Sequence, residues 1–332
     1  MNNQKFFSNT RRRLLLAAAG TSVLGIAPSS FAQTKLPAGS AKIIVPFTPG
    51  TTPDICARLL STKFSKSFGQ SVITDNRPGA SGIIGMDLVA KAPADGLTVM
   101  VSTNTSLTLP YFYNKVPFDV IQSFQPLGMI GHTNYALVAH PSLPAANPKE
   151  LIQYLKKNPG LVNYASPGKG TFHHLCMEQI ASITQTKMIH VPYKGSAGAF
   201  TDLVGGHVML TIMPLHLAVP LLNSGKLKIL GATRRERDPS FPKIPSLHDG
   251  GITGFNADGW FALWGPKGMS KEVIALYNTG LRDALAEPDI KTTLDQQGVS
   301  IKPGTPEDLL KTARAEYEYW GRVIRDANIQ AE

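Results

Sequence analysis

Apolar and polar positions follow two periods along this chain, and the two periods take turns almost throughout. Lys42-Ile43-Ile44-Val45-Pro46 is a short apolar run of the kind a buried strand makes. Asp54 to Phe68 then places apolar residues at 55, 59, 60, 64 and 68, one side of a helix. Val72-Ile73-Thr74 predicts a strand, Ile83 to Ala90 a helix and Leu97 to Val101 a strand. The same grammar resumes with strands at Tyr135 to Ala139, Asn163 to Ala165, Met188 to Val191, Val208 to Ile212 and Lys226 to Ala232. Helices are predicted between them from Asn147-Pro148, where Pro fits a first turn, from Thr171 to Ile183 and from Ala197 to Val204. The Pro- and Gly-rich piece Asp238 to Gly254 reads as a connection. Gly259 to Trp264 is a further strand, and residues 270 to 328 read as amphipathic helices with loops at Gly298 and Pro303-Gly304.

Alternation of this type predicts an α/β fold with mostly parallel central sheets covered by helices on both faces. One long sheet would accommodate the order, but two α/β units with a cleft between them fit the length better. In such units ligands sit beyond the carboxyl ends of strands, which points to Phe47–Asp54, Ser102–Thr105 and Ser166–Thr171.

The first 32 residues change the length to be explained. A basic stretch ends at Arg13, an apolar stretch runs from Leu14 to about Ile26, and Ser30 and Ala32 are the small residues of a cleavage site. The apolar stretch is interrupted by Gly20, Thr21, Ser22 and Gly25 and falls short of a spanning helix. A signal peptide over 1–32 is therefore expected, and Arg11-Arg12-Arg13 also fits a twin-arginine signal, with Sec export the alternative route. The net charge of +10 loses Lys5 and those three arginines with the leader, leaving a modest +6. The densest basic cluster, Arg234-Arg235-Glu236-Arg237, lies in a polar loop, so no nucleic acid partner is expected, although a mild positive field favours an anionic ligand. Cys56 and Cys176 each sit in an apolar helical pattern and read as small buried hydrophobes. His173 and His174 are adjacent and diverge on a helix, so no metal site is expected, and no cofactor.

Two of the strand-to-helix loops share a chemistry. In Val45-Pro46-Phe47-Thr48-Pro49-Gly50-Thr51-Thr52-Pro53-Asp54, a threonine can cap the helix, Pro53 fits its first turn and Asp54 complements its dipole. Five residues remain between strand and cap, and Gly50 lets the backbone approach something closely. Free N–H groups at such a start suit an anion. Ser166-Pro167-Gly168-Lys169-Gly170-Thr171 repeats the arrangement, but Gly170 separates Lys169 from Thr171, so it is no phosphate-binding P-loop and a small acid fits better than a nucleotide. A hydrolase built on Ser166, His174 and Asp54 is disfavoured because Ser166 is flanked by Ala165 and Pro167 instead of the glycines of a nucleophile elbow. No catalytic residue is assigned.

The stretch Val45 to Arg58, the turn Asp75-Asn76-Arg77-Pro78-Gly79-Ala80-Ser81-Gly82, the loop Tyr164 to Leu175, Val191-Pro192-Tyr193-Lys194-Gly195 and Trp260 to Gly268 together resemble the Bug or TctC-type receptors, the periplasmic solute-binding components of tripartite tricarboxylate transporters. The resemblance runs from about Ala41 to the end of the chain. It implies a monomeric, two-lobed Venus-flytrap (type II) periplasmic binding protein, with lobe 1 formed by 33–135 and 259–332 and lobe 2 by 136–258. The crossings fall near Asn134–Val138 and Asp258–Phe261, and the C-terminal helices return to lobe 1. It also implies a carboxylate ligand held by Phe47, Thr48, Gly50, Thr51, Thr52 and Asp54 with Ser102 and Asn104 beside them, and by Ser166, Gly168, Gly170, Thr171 and His174 from the other lobe. The implied partners are a small organic acid and transporter membrane subunits, or alternatively the ectodomain of a signalling receptor. One departure stands out: most relatives read Pro-Gly-Gly where this chain has Pro49-Gly50-Thr51, so if the second glycine's positive φ is required, either Thr51 is strained or the loop is reshaped.

Overall fold

The structure, a computed structural model, describes residues 36–326 and residue 329; the leader, its cleavage site near Ala32 and the twin-arginine pattern lie outside the described residues. Two sheets organise the rest. The first contains β1 (Ala41–Val45), β2 (Val72–Asn76), β3 (Thr98–Thr103), β4 (Phe124–Thr133), β10 (Gly259–Pro266) and β11 (Val299–Ile301), in the order β11-β4-β10-β3-β1-β2. The second contains β5 (Tyr135–Ala139), β6 (Asn163–Ser166), β7 (Ile189–Pro192), β8 (Leu210–Pro214) and β9 (Lys228–Ala232), in the order β7-β6-β8-β5-β9.

Each sheet buries both faces because its strands alternate between two apolar layers. In β1, Ile43 and Val45 join Phe64 of α1 (Thr52–Phe68) and Tyr277 of α7 (Lys271–Ala286), while Ile44 faces Met86 of α2 (Ile83–Ala90) and Trp260. In β5, Leu137 packs with Leu175 of α4 (Phe172–Thr184), and Ala136 and Val138 pack with Leu203 of α5 (Ser196–Val204). Both cysteines are buried and unpaired, Cys56 with its thiol pushed up to about 12 by burial.

The sheets are mixed where the sequence suggests mostly parallel ones: among the described residues, four of the nine strand pairings are parallel and five antiparallel. The cause is the route of the chain. It leaves the first sheet along β4 and returns along β10, and these two lie side by side, so they must run in opposite directions. β5 and β9, which enter and leave the second sheet, are neighbours for the same reason.

Asn134 alone separates β4 from β5, so the chain changes sheet within one residue; the return passes Asp258. Two helices after β10, α7 and α8 (Pro288–Gln296), pack on the first sheet through Leu281, Ile290 and Leu294. The last helix, α9 (Pro306–Asp326), behaves differently. Its Leu309 and Ala313 join the first sheet's core, whereas Trp320 and Ile324 join the core of the second, with Trp320 edge-on to Phe172 at 6.2 Å. Among the described residues no helix is long and apolar enough to cross a membrane.

Candidate functional site

The first loop leaves β1 and enters α1. Gly50 takes the left-handed conformation (φ +79°), and Thr51 is extended at φ −81°, ψ 158°. Thr51 is thus unstrained, because the positive φ falls one residue earlier, on the glycine this chain retains. Its hydroxyl does not cap α1; it turns back and donates to the Thr48 carbonyl at 2.8 Å. The amides of Thr52 and Asp54, ahead of the first helical bond from Ile55 N to Thr51 O, therefore carry no side-chain cap.

Asp54 organises this loop from beneath. Its Oδ2 accepts from Gly50 N at 2.9 Å and Arg58 Nε at 3.0 Å, and its Oδ1 from Asn76 Nδ2 at 2.9 Å. Burial alone would raise its pKa, but the hydrogen bonds from Arg58, Gly50 and Asn76 outweigh it and hold the carboxyl below its ordinary value. Both oxygens are engaged, so the carboxylate braces the loop, with its charge paired to Arg58. Asn76 also donates to the Phe47 carbonyl at 3.2 Å, tying β2 to the same turn.

At the end of β3, Ser102 Oγ is buried without a hydrogen-bond partner, and Asn104 donates to the Asp258 carbonyl at 2.9 Å. Glu316 of α9 reaches the same place, accepting from Trp260 Nε1 at 2.8 Å; burial pushes its pKa up to about 8, against that hydrogen bond and with the Asp258 charge adding to the rise.

The second loop, between β6 and α4, is closed by its own hydroxyls. Ser166 Oγ donates to Gly168 O at 3.0 Å, and Thr171 Oγ1 donates to the same carbonyl at 2.8 Å. Gly168 and Gly170 have φ of +152° and +70°, conformations a side chain would resist. His174, in the first turn of α4, accepts the Gly170 N–H on Nδ1 at 3.1 Å, which places its proton on Nε2. Burial, with His190 and Lys169 adding, lowers its pKa to about 3. The ring that meets Ser166 is not His174 but His190, whose Nε2 is 2.6 Å from Ser166 Oγ and whose face stacks on His174 at 4.0 Å. Sequence reasoning missed it. Its place beside the loop comes from the parallel pairing of β7 with β6, which sets His190 opposite Tyr164 and which no local sequence pattern reports.

Loops from the two sheets meet. Thr48 lies against Gly195, where a Cβ would stand 3.3 Å from its side chain. Phe172 N donates to Thr105 Oγ1 at 3.2 Å, and Thr108 Oγ1 donates to Gly170 O at 2.6 Å. Of the predicted residues, these contacts place Thr48 and Gly170 where the loops of the two sheets meet. A hollow of about 640 Å³ lies elsewhere, lined by Tyr113, Phe118, Gln122, Arg314 and Tyr317 among others, and includes none of them. Among the described residues no group of three or more His, Cys, Asp or Glu is placed to hold a metal ion.

Residues 56–329 match the profile of TctC, the tripartite tricarboxylate transporter family receptor. Protein BugT of Bordetella pertussis is 32% identical over 323 residues, 96% of this chain and 98% of that protein. An R. palustris protein solved with adipate superposes with a TM-score of 0.83 at 32% identity, covering 89% of this chain and 99% of its own. MatC from Rhodopseudomonas palustris with bound malate gives a TM-score of 0.81 at 26% identity, covering 87% of this chain and 100% of its own. These are solute-binding proteins and not enzymes, and their fold is the two-lobed α/β architecture described above. The chain belongs to the TctC family of tripartite tricarboxylate transporter receptors.

Proposed function

We propose that this protein is exported, cut near Ala32, and captures a small carboxylate between lobe 1 (33–135 and 259–332) and lobe 2 (136–258) for delivery to the membrane subunits of a tripartite transporter. The carrying observation is the uncapped start of α1. Thr51 turns its hydroxyl away and Asp54 spends both oxygens on Gly50, Arg58 and Asn76, so the amides of Thr52 and Asp54 are left without a side-chain acceptor at the start of the helix. A ligand carboxylate supplies the acceptor that these amides lack. Phe47, Thr48, Gly50, Thr51, Thr52, Ser102 and Asn104 form one jaw, with Asp54 acting through the loop. Ser166, Gly168, Gly170, Thr171 and His174 form the other. His174 stays neutral down to low pH and presents Nε2–H as a donor. Adipate and malate in the two structural relatives support an acid of this size.

The test is thermal unfolding of residues 33–332, stripped of co-purified ligand by denaturation and refolding, against a panel of mono-, di- and tricarboxylates with the neutral amides as controls. An acid at about 100 times its Kd should stabilise by about 2.7 kcal/mol. Its amide should do nothing, and Ser166→Ala or Thr171→Ala should reduce the shift. Equal stabilisation by acid and amide, or none by any acid, would discard the carboxylate clamp.

A further inference from the structure

The turn Gly79-Ala80-Ser81-Gly82 is strained in a way its own neighbourhood does not use. Ala80 and Ser81 both take positive φ, +46° and +53°, in succession. The other non-glycine residue with positive φ among those described, Gln185, is the C-cap of α4, where that conformation is ordinary. Two consecutive L residues in the left-handed region are costly, and such strain persists where the surrounding structure imposes it.

What the strained turn achieves is the placement of one hydroxyl. Ser81 Oγ donates to the Lys169 carbonyl at 2.8 Å, in the second lobe's loop, and lies 2.9 Å from Tyr113 OH. A serine has one proton. Since it is given to Lys169, Tyr113 must be the donor in the second bond, and the three groups form a directed chain from Tyr113 through Ser81 to Lys169 O. The loop is shaped to receive it, because a Cβ on Gly168 would stand 2.7 Å from Ser81 Oγ. The next carbonyl, Gly170 O, is taken by Thr108 of the first lobe. Two successive carbonyls of the loop are thus pinned to the first lobe, while the Gly170 N–H goes the other way, to His174.

We propose that Ser81 is the latch of lobe closure, a positioning residue that ties the second lobe's binding loop to the first lobe, with Tyr113 orienting it and the strain at Ala80 and Ser81 maintained to aim it. The proposal rests on the receptor reading, since it concerns the same loop, but its main test needs no ligand.

The test compares residues 33–332 as wild type, Ser81→Ala, Ser81→Gly and Tyr113→Phe, by hydrogen exchange of the peptide spanning 166–174 and by small-angle scattering. The Phe172 amide is informative because its acceptor, Thr105 Oγ1, lies across the seam. In Ser81→Ala and Ser81→Gly its exchange should accelerate about fivefold, as expected for loss of one hydrogen bond, with a larger radius of gyration. Tyr113→Phe should fall between them and wild type. Ser81→Gly also relieves the backbone strain, so its melting temperature should equal or exceed that of wild type, which separates an opened seam from a damaged fold. Wild-type exchange and radius in both Ser81 variants would overturn the latch. If neither adipate nor malate stabilises the wild type, the carboxylate reading fails for those acids while the exchange data still decide the latch.

Discussion

Asp54 shows how a residue that matches a binding motif can spend both its oxygens on the loop around it. Its position at the start of a helix is legible in the sequence, and so is its value to the helix dipole. Its partners were not legible: Asn76 lies 22 residues away on β2, and only the parallel register of β1 with β2, which sets Val45 opposite Asn76, brings the amide to the carboxylate. Asp54→Ala removes an acceptor shared by Gly50, Arg58 and Asn76 and leaves the Gly50 N–H inside a tight turn. Arg58 is more than half exposed, so its part is screened and the cost is carried mainly by the other two bonds. We expect a loss of about 2 kcal/mol in urea unfolding, with carboxylate affinity falling as the loop loosens. Asp54→Ala that unfolds at the wild-type midpoint would show that the loop is held by something else. Thr51 gives the complementary lesson: the missing second glycine signals strain only if its φ is known, and here the left-handed residue is Gly50.

At the scale of elements, strands with clean apolar runs were readable and those with interruptions were not. β4, the longest strand, carries Pro126, Gly128 and Gly131, residues that argue against a strand in isolation. Its neighbours explain them. A Cβ on Gly128 would stand 2.7 Å from Leu281 of α7, one on Gly131 would stand 2.5 Å from Ser300 O of β11, and Pro126 sits beside a register shift against β10. The glycines are cut to fit partners more than a hundred residues later, which no local pattern encodes. β11 was hidden for a related reason, being three residues long and following a helix. The amphipathic reading of 270–328 did find helices, but their destinations required the tertiary structure. α9 joins two cores, so it links the lobes as a strut alongside the two strand crossings. Trp320→Ala would empty a site between Phe172 and Tyr319 in the second core. A loss of about 3–5 kcal/mol is expected in denaturant unfolding. A loss below about 1 kcal/mol would mean that the end of α9 docks without supporting the lobe.

At the scale of the whole molecule, three histidines and one glutamate with shifted titration lie in or beside contacts between parts of the chain far apart in sequence. His174 stacks on His190 beside the binding loop, and His173 packs edge-on to Tyr135 at the crossing. His216, at the start of α6 (Leu215–Asn223), abuts Gly298 of the first lobe, and Glu316 bridges α9 to Trp260. Burial lowers His173 and His216 to about 4 and His174 to about 3, so as pH falls below about 6.5 the unfolded chain takes up protons that the folded one refuses. Stability is then lost toward acid, by up to about 1.4 kcal/mol per pH unit for each histidine while both conditions hold. Glu316 acts in the opposite sense. Its pKa is raised to about 8, so the folded state keeps a proton that the unfolded chain releases above about 4.5, and stability is lost as pH rises toward 8. Between 4.5 and 6.5 three histidines oppose one glutamate and acid loss wins; between 6.5 and 8 the glutamate acts alone among these four. Urea unfolding across pH 5 to 8 should therefore show greatest stability near pH 6.5. Glu316→Gln, which can still accept from Trp260 Nε1, should flatten the alkaline limb and leave the acid limb in place. An alkaline limb unchanged in that variant would remove Glu316 as its source.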